Sequence, residues 1–346
     1  MQITDIQREA GRAQAAPVAL AIRGTGAYLP RQRRDSRQID ARLGWPLGET
    51  ARRFGIEGRY VADAGETSSM MGAVAAERAL QAAGVGARDL DLILGACGVM
   101  EQPIPSTAVL IQSRLGLEGT GIPAYDINAT CLSFVAALDH AGLMIAAGRA
   151  RHVLIVSADI ASVGLDWSRP EGAAIFGDGA AAVVLGRADE GEAAPALLAT
   201  RIETYSEGRE ACVLAAGGTR INPARGIAPS DALFRMDGQA AFRTASRHLP
   251  RFVARLLAAS GLRRDDLDLV IPHQASAQAL DHAAALLGFD DSRLINIFAR
   301  CGNQIAASIP MALHEAVSTG RLKRGQNALL IGTSAGVSLG GAVLRY

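Results

Sequence analysis

Cys131 stands in the run Tyr125-Asp-Ile-Asn-Ala-Thr-Cys131-Leu-Ser-Phe-Val135, where a strand-like segment turns sharply into an apolar helix. A thiol there meets the unpaired N–H groups and positive dipole end of a helix N-terminus. Those surroundings lower a thiol pKa and expose a nucleophilic sulfur. A buried structural cysteine reads equally well from these residues alone. His273 follows the apolar run Leu269-Val-Ile-Pro272, so it projects from the C-terminal edge of a strand, where sites in α/β sheets collect. Its competing reading is an imidazole satisfied by a backbone carbonyl. Gly302 and Asn303 permit a tight backbone and offer an amide donor just before a small-residue helix, although Gly-Asn is also an ordinary turn signal. The loop Gly332-Thr-Ser-Ala-Gly336, at a strand end, has backbone N–H groups suited to an oxyanion hole.

Alternating strands and helices must position these residues. Met71 to Ala83 reads as an Ala-rich helix ended by Gly84, and Asp91 to Ala96 as a buried strand. Cys131 to Ala147 is apolar on nearly every face and is expected at the centre of the fold. Val153 to Ser157 and Ala180 to Leu185 are further strands, as are Leu267 to Ile271, Ala328 to Gly332 and Ala342 to Arg345. Phe242 to Ala259 is helical, with Pro250 expected to bend or break it. Gly84-Val-Gly-Ala-Arg-Asp-Leu-Asp-Leu-Ile93 matches Gly261-Leu-Arg-Arg-Asp-Asp-Leu-Asp-Leu-Val270 at an offset of 261 − 84 = 177. His152 to Ala158 matches Ala328 to Ser334 at 328 − 152 = 176. Two separate pairs sharing nearly one offset imply a duplicated unit.

Composition narrows the function. Thirty-five basic against 34 acidic side chains exclude a strong polyelectrolyte and argue against nucleic acid as the main partner. At 346 residues with 49% hydrophobic content, the chain has ample material for a core. Its 38 glycines and 4% aromatics imply small residues packed closely around Ala-rich helices. Cys97, Cys131, Cys212 and Cys301 form no CxxC pair, which points away from structural zinc and towards a reducing, cytoplasmic setting. No apolar stretch reaches the roughly 20 residues needed to cross a bilayer, and the N-terminus lacks a signal-peptide core. Residues 1–18 read as a tail, 19–187 as a half carrying the cysteine, and 188–346 as a half carrying the histidine and asparagine.

Asp126-Ile-Asn-Ala-Thr-Cys131, Ile175-Phe-Gly-Asp-Gly179, Pro272-His273-Gln-Ala275 and Gly302-Asn303 with Ala306-Ala-Ser-Ile-Pro310 occur in this order. So do Arg23-Gly-Thr-Gly-Ala-Tyr-Leu-Pro30, Arg53-Phe-Gly-Ile-Glu-Gly-Arg59, Glu66-Thr-Ser-Ser69 and the terminal Gly340 to Tyr346. Together they resemble the β-ketoacyl-acyl-carrier-protein synthase III family of thiolase-like condensing enzymes. The resemblance implies an α/β, thiolase-like fold of two duplicated halves with layered helices and mixed five-stranded sheets, assembled as a homodimer. It implies a catalytic set of Cys131, His273 and Asn303, with Ala335 and Gly336 in the oxyanion loop. It also implies a decarboxylating condensation of acyl-CoA with a malonyl thioester on an acidic acyl carrier protein, with no metal or redox cofactor. Arg53, Ile104 and Arg169 fall in its substrate and coenzyme A set, and Arg243 and Arg247 in its carrier-docking set. Arg251 and Arg255 extend the latter to one face if the helix continues past Pro250.

The chain departs from the family pattern in four places. Ser334-Ala335-Gly336 replaces a Gly-Gly-Gly loop, and Glu49 and Thr50 stand where a tryptophan often precedes the Arg53 motif. Ile104 replaces a larger phenylalanine, which suggests room for a longer or branched acyl chain. The segment Ser276 to His282 lacks basic docking residues. These departures suggest a specialised paralogue. Two other readings stay open: acyl transfer without decarboxylation, and a partner subunit of a heterodimeric synthase.

Overall fold

The computed structural model describes residues 16–188, 194–290 and 292–346, so most of the expected tail lies outside the described residues. Thirteen strands are defined in this range: β1 Leu20–Tyr28, β2 Gln32–Asp35, β3 Gly58–Val61, β4 Leu92–Gly95, β5 Ala124–Asp126, β6 His152–Asp159 and β7 Gly179–Arg187, then β8 Ala196–Thr204, β9 Cys212–Val213, β10 Arg235–Met236, β11 Leu269–Pro272, β12 Asn327–Ser334 and β13 Ser338–Arg345. The five longest helices are α1 Ser68–Ala83, α2 Ser133–Ala146, α3 Gly238–Ser260, α4 Ala277–Leu287 and α5 Ser308–Ser318.

Both large sheets follow one plan. The first runs β1-β7-β6-β4-β5 and the second β8-β13-β12-β11. The parallel pair β4/β6 aligns Leu92 with Val153, and β11/β12 aligns Leu269 with Ala328. These are the segments that the sequence offset paired. The expectation of five strands holds in the first half. In the second, the fifth position shrinks to a single parallel bridge between Val270 and Leu294.

Side-chain alternation separates the layers. In β4, β6 and β7, Leu92, Leu94, Val153, Ile155, Val183 and Leu185 face a central core with α2 and α5. The intervening Ile93, Leu154, Val156 and Val184 face outward onto α1. The second sheet sends Leu269, Ile271, Leu330 and Leu344 into the same central core, and Val270, Leu329, Ile331 and Val343 onto α3. The layers are helix, sheet, helix pair, sheet, helix, as in thiolase-like folds. Small residues make the stack thin. A side chain on Gly24 or Gly26 of β1 would collide with the backbone carbonyls of Ala79 or Ala75 in α1.

Pro250 does not interrupt α3, which runs unbroken through it. Proline removes one backbone N–H, and Pro250 lies on the exposed side of the helix. Arg243, Arg247 and Arg251 are therefore exposed on a continuous helix, whereas Arg255 pairs with Glu203 at 3.2 Å. Among the described residues no helix is long and apolar enough to cross a membrane.

Candidate active site

Cys131 occupies a single 3-10 turn, Thr130–Leu132, between β5 and α2, so the α-helix proper begins two residues later than expected. Thr130 has φ 50°, one of two non-glycine residues with positive φ among the described residues. Such a conformation costs on the order of 1–3 kcal/mol and persists only where its surroundings over-determine it. Here Asn128 Oδ1 accepts from the Thr130 N–H at 2.8 Å, and Ser133 Oγ donates to Thr130 O at 2.7 Å. The Ser334 hydroxyl donates to Ala129 O at 2.8 Å and bonds the Thr130 hydroxyl. Ser334, a departure from the glycine loop, thus ties that loop to the sharp turn before the nucleophile.

His273 follows β11 and is buried at 5% exposure. Its N–H donates to Ile331 O at 2.7 Å, while its Nδ1 has no partner among the described residues. No backbone carbonyl satisfies Nδ1 among the described residues. The Gln274 side chain locks the strand end, donating to Pro272 O at 2.8 Å and Ile295 O at 3.1 Å and accepting from Ile297 N–H at 2.9 Å.

Asn303 is held by its backbone: its N–H donates to Ile175 O at 2.8 Å and its carbonyl accepts from Gly177 N–H at 3.0 Å. Its Nδ2 donates to Ala275 O at 3.3 Å and its Oδ1 accepts from Ile305 N–H at 2.9 Å. Arg59, buried at 1% exposure, fixes the receiving segment by donating to Ala173 O and, at 2.9 Å, to Phe176 O. Burial lowers this guanidinium to about 10. The motif containing Arg59 is visible in the sequence, but the arginine's inward direction is not. Gly302 makes the turn at φ 69°, ψ −166°, a region essentially reserved for glycine. A Cβ there would sit 2.5 Å from Ile175 O. Gly302→Ala is expected to cost about 3 kcal/mol of stability, read as a lowered urea midpoint.

These segments close into a ring. The N–H groups of Ala335 and Cys131 both point at the Cys131 sulfur, and the 334–335 loop is tied to Thr130. Gly332 lies against the His273 Cβ and Leu132. Ala275, two residues beyond His273, accepts from Asn303, and Ile305 returns to the Thr130 backbone across Gly98. Cys131, His273, Asn303 and Ala335 thus share one neighbourhood.

The electrostatics correct one expectation. Cys131 as a residue is half-buried, yet burial, with Asp159 and Cys212 adding to it, pushes its thiol up to about 12. The hydrogen bonds from Ala335 and Cys131 N–H oppose this without overcoming it. Desolvation of a thiolate outweighs the helix terminus in a packed core. Burial also lowers His273 to about 4, so at neutral pH it is an uncharged imidazole.

Arg53 and Arg169 both lie near Glu171. Arg53 Nη2 approaches Glu171 Oε1 at 4.0 Å, and Arg169 and Glu171 both line a cavity of about 140 Å³ with Leu165, Phe234 and Met236. Trp45 is the aromatic that the motif reading missed, because it lies four residues before Glu49. It stacks on Phe54 with centroids 6.1 Å apart, under the Arg53 guanidinium at 4.8 Å. Ile104 does not join this arrangement. It is 86% exposed on the loop after β4.

Residues 125–206 match the family model for 3-oxoacyl-[acyl-carrier-protein (ACP)] synthase III, and residues 257–346 match the model for its C-terminal part. The chain is 38% identical over 329 residues to a β-ketoacyl-[acyl-carrier-protein] synthase III of Thiobacillus denitrificans, covering 94% of this chain and 98% of that one. A crystal structure of the Aquifex aeolicus 3-oxoacyl-[acyl-carrier-protein] synthase III, 33% identical, superposes with a TM-score of 0.84 over 94% of this chain and 100% of the other. The priming β-ketosynthase of the R1128 polyketide pathway, 27% identical, superposes at 0.85 over 97% and 98%. The chain belongs to the β-ketoacyl-[acyl-carrier-protein] synthase III family and is an acyl-transferring condensing enzyme.

Proposed function

We propose that the protein condenses acyl-CoA with a malonyl thioester on acyl carrier protein, through an acyl-cysteine at Cys131, in fatty-acid or related biosynthesis. The ring that brings a cysteine sulfur, two N–H donors, an uncharged imidazole and a carboxamide together carries this reading. In the first step the Cys131 sulfur attacks the acyl-CoA carbonyl. The thiol proton leaves with the coenzyme A sulfur, and the Ala335 and Cys131 N–H groups receive the carbonyl oxygen's developing charge.

In the second step the malonyl carboxylate leaves as CO₂, and its bonding electrons pass into an enolate. His273 and Asn303 Nδ2 donate hydrogen bonds to that enolate oxygen. An imidazole that stays neutral at pH 7 keeps its N–H for this purpose and introduces no second charge. The enolate carbon then attacks the acyl group, and the Cys131 sulfur leaves and takes up a proton. Four bonds are made or broken, and no electron acceptor is required.

Arg53, Arg169 and the Trp45 ring suit the nucleotide end of coenzyme A, since guanidinium and indole groups complement phosphate and base. The exposed Arg243, Arg247 and Arg251 suit an acidic carrier protein. The open edge of β5, paired only with β4, offers a strand for homodimer formation. Incubation with acyl-CoA followed by malonyl-carrier should release CO₂ and a β-ketoacyl thioester in equal amounts. Acylation of the protein with no CO₂ release would favour acyl transfer to another acceptor.

A further inference from the structure

Asp159 ends β6 and is wholly buried, yet it has no part in the chemistry set out above. Its Oδ1 accepts from Gly98 N–H at 2.8 Å and Val99 N–H at 2.7 Å, on the loop leaving β4. Its Oδ2 accepts from Ala307 N–H at 3.1 Å, and the Ala306 N–H also points towards the carboxylate. One side chain therefore joins two segments far apart in the chain. The first is the 98–99 loop. The second is the Ile305–Ala307 turn, which begins two residues after Asn303.

What those segments carry makes the joint consequential. Among the described residues, the two non-glycine residues with positive φ are Thr130 at 50° and Ile305 at 52°. Thr130 immediately precedes Cys131, and Ile305 donates its N–H to Asn303 Oδ1. Both pack on Gly98, the residue whose N–H Asp159 holds: the Ile305 side chain and the Thr130 carbonyl face the same side of its Cα. Two strained backbone positions thus lean on one glycine, and one buried carboxylate fixes that glycine to the Asn303 turn.

We propose that Asp159 is a positioning residue for the condensation, clamping the Asn303 turn against the Cys131 elbow so that the enolate-binding amide and the sulfur keep their reaction distance. This rests on the function proposed above. The clamp needs an ionised carboxylate, because all four groups it receives are N–H donors and a protonated oxygen turns one acceptor into a competing donor. Burial pushes Asp159 up to about 7 despite those bonds. Among the described residues its charge acts on the thiols of Cys97 and Cys131 and opposes ionisation of both. Glu101 and Asp126 also face Cys97. A carboxyl raised to about 7 is ionised above that value, so the clamp is complete at alkaline pH and opens as pH falls through 7.

The test measures Cys131 acylation from acyl-CoA and CO₂ release from malonyl-carrier, from pH 5.5 to 9, in wild-type protein and Asp159→Asn. In wild type, CO₂ release should fall on the acid side with a midpoint near 7. Asp159→Asn directs an amide donor at one pair of N–H groups. It should slow CO₂ release by about 10²-fold, the effect of an ångström-scale misplacement, and abolish the limb near 7. Cys131 alkylation should meanwhile shift to lower pH, because a charge opposing the thiolate is gone. A merely structural loss would slow both steps together and leave the limb in place. A folded Asp159→Asn protein with wild-type CO₂ release overturns the proposal. So does a wild-type profile with no limb near 7, which decides the matter even if the variant does not fold. Wild-type protein that neither acylates nor releases CO₂ overturns the function itself, a distinguishable result.

Discussion

Cys131→Ala is expected to abolish acyl-enzyme formation and to lower condensation on the order of 10⁴-fold or more, the scale seen when a covalent nucleophile is removed. Intact mass after incubation with an acyl-CoA reads this directly: wild type gains one acyl group, and the variant gains none. The thiol environment adds a pH signature. With Cys131 at about 12, its thiolate fraction at pH 7 is small and grows about tenfold per pH unit. Alkylation of Cys131 by iodoacetamide, followed on the peptide that contains it, should therefore climb steadily from pH 7 to 10 without levelling. A plateau near pH 8 would show that the helix terminus dominates after all. Acylation that persists in Cys131→Ala would remove this residue from the mechanism.

Replacing either enolate donor should separate the two chemical steps. His273→Ala and Asn303→Ala are each expected to slow malonyl decarboxylation by about 10²–10³-fold, the usual cost of one lost donor to a developing oxyanion. Acylation of Cys131 should stay within about tenfold of wild type, because the first carbonyl relies on the N–H groups of Ala335 and Cys131. Asn303→Asp should do more damage than Asn303→Ala, since it sets a negative charge against the enolate. His273 remains neutral well below pH 6.5, so it contributes no limb near that value. Single-turnover measurement of each step checks these outcomes. Equal losses in both steps would contradict the division of roles.

Much of this protein is legible before folding. Continuous apolar runs mark the strands, because both faces of β4, β6, β11 and β12 must meet helices. The offset of 176–177 residues reveals a duplicated plan, and β4 with β6 and β11 with β12 follow it. Gly302 and Cys131 are visible for local reasons, one at a turn and the other at a helix start. Trp45 is not visible, because its stacking on Phe54 spans nine residues and depends on how two short segments fold back. The fifth strand of the second half is also absent from the sequence signal, since pairing beside β11 is reduced to the Val270–Leu294 bridge.

The order of elements, the repeated halves and the candidate residue types for the chemistry can all be read from the chain. The tertiary structure alone decided their electrostatics and alignment. A helix start predicts an acidic thiol, yet packing strips water from Cys131 and places Asp159 within reach, and desolvation wins. Strand β6 reads as one more buried strand, yet its last residue lands between two loops that lie far from it in the chain. Short-range preferences are written residue by residue, whereas loss of solvent and the meeting of distant backbone groups exist only once the layers close.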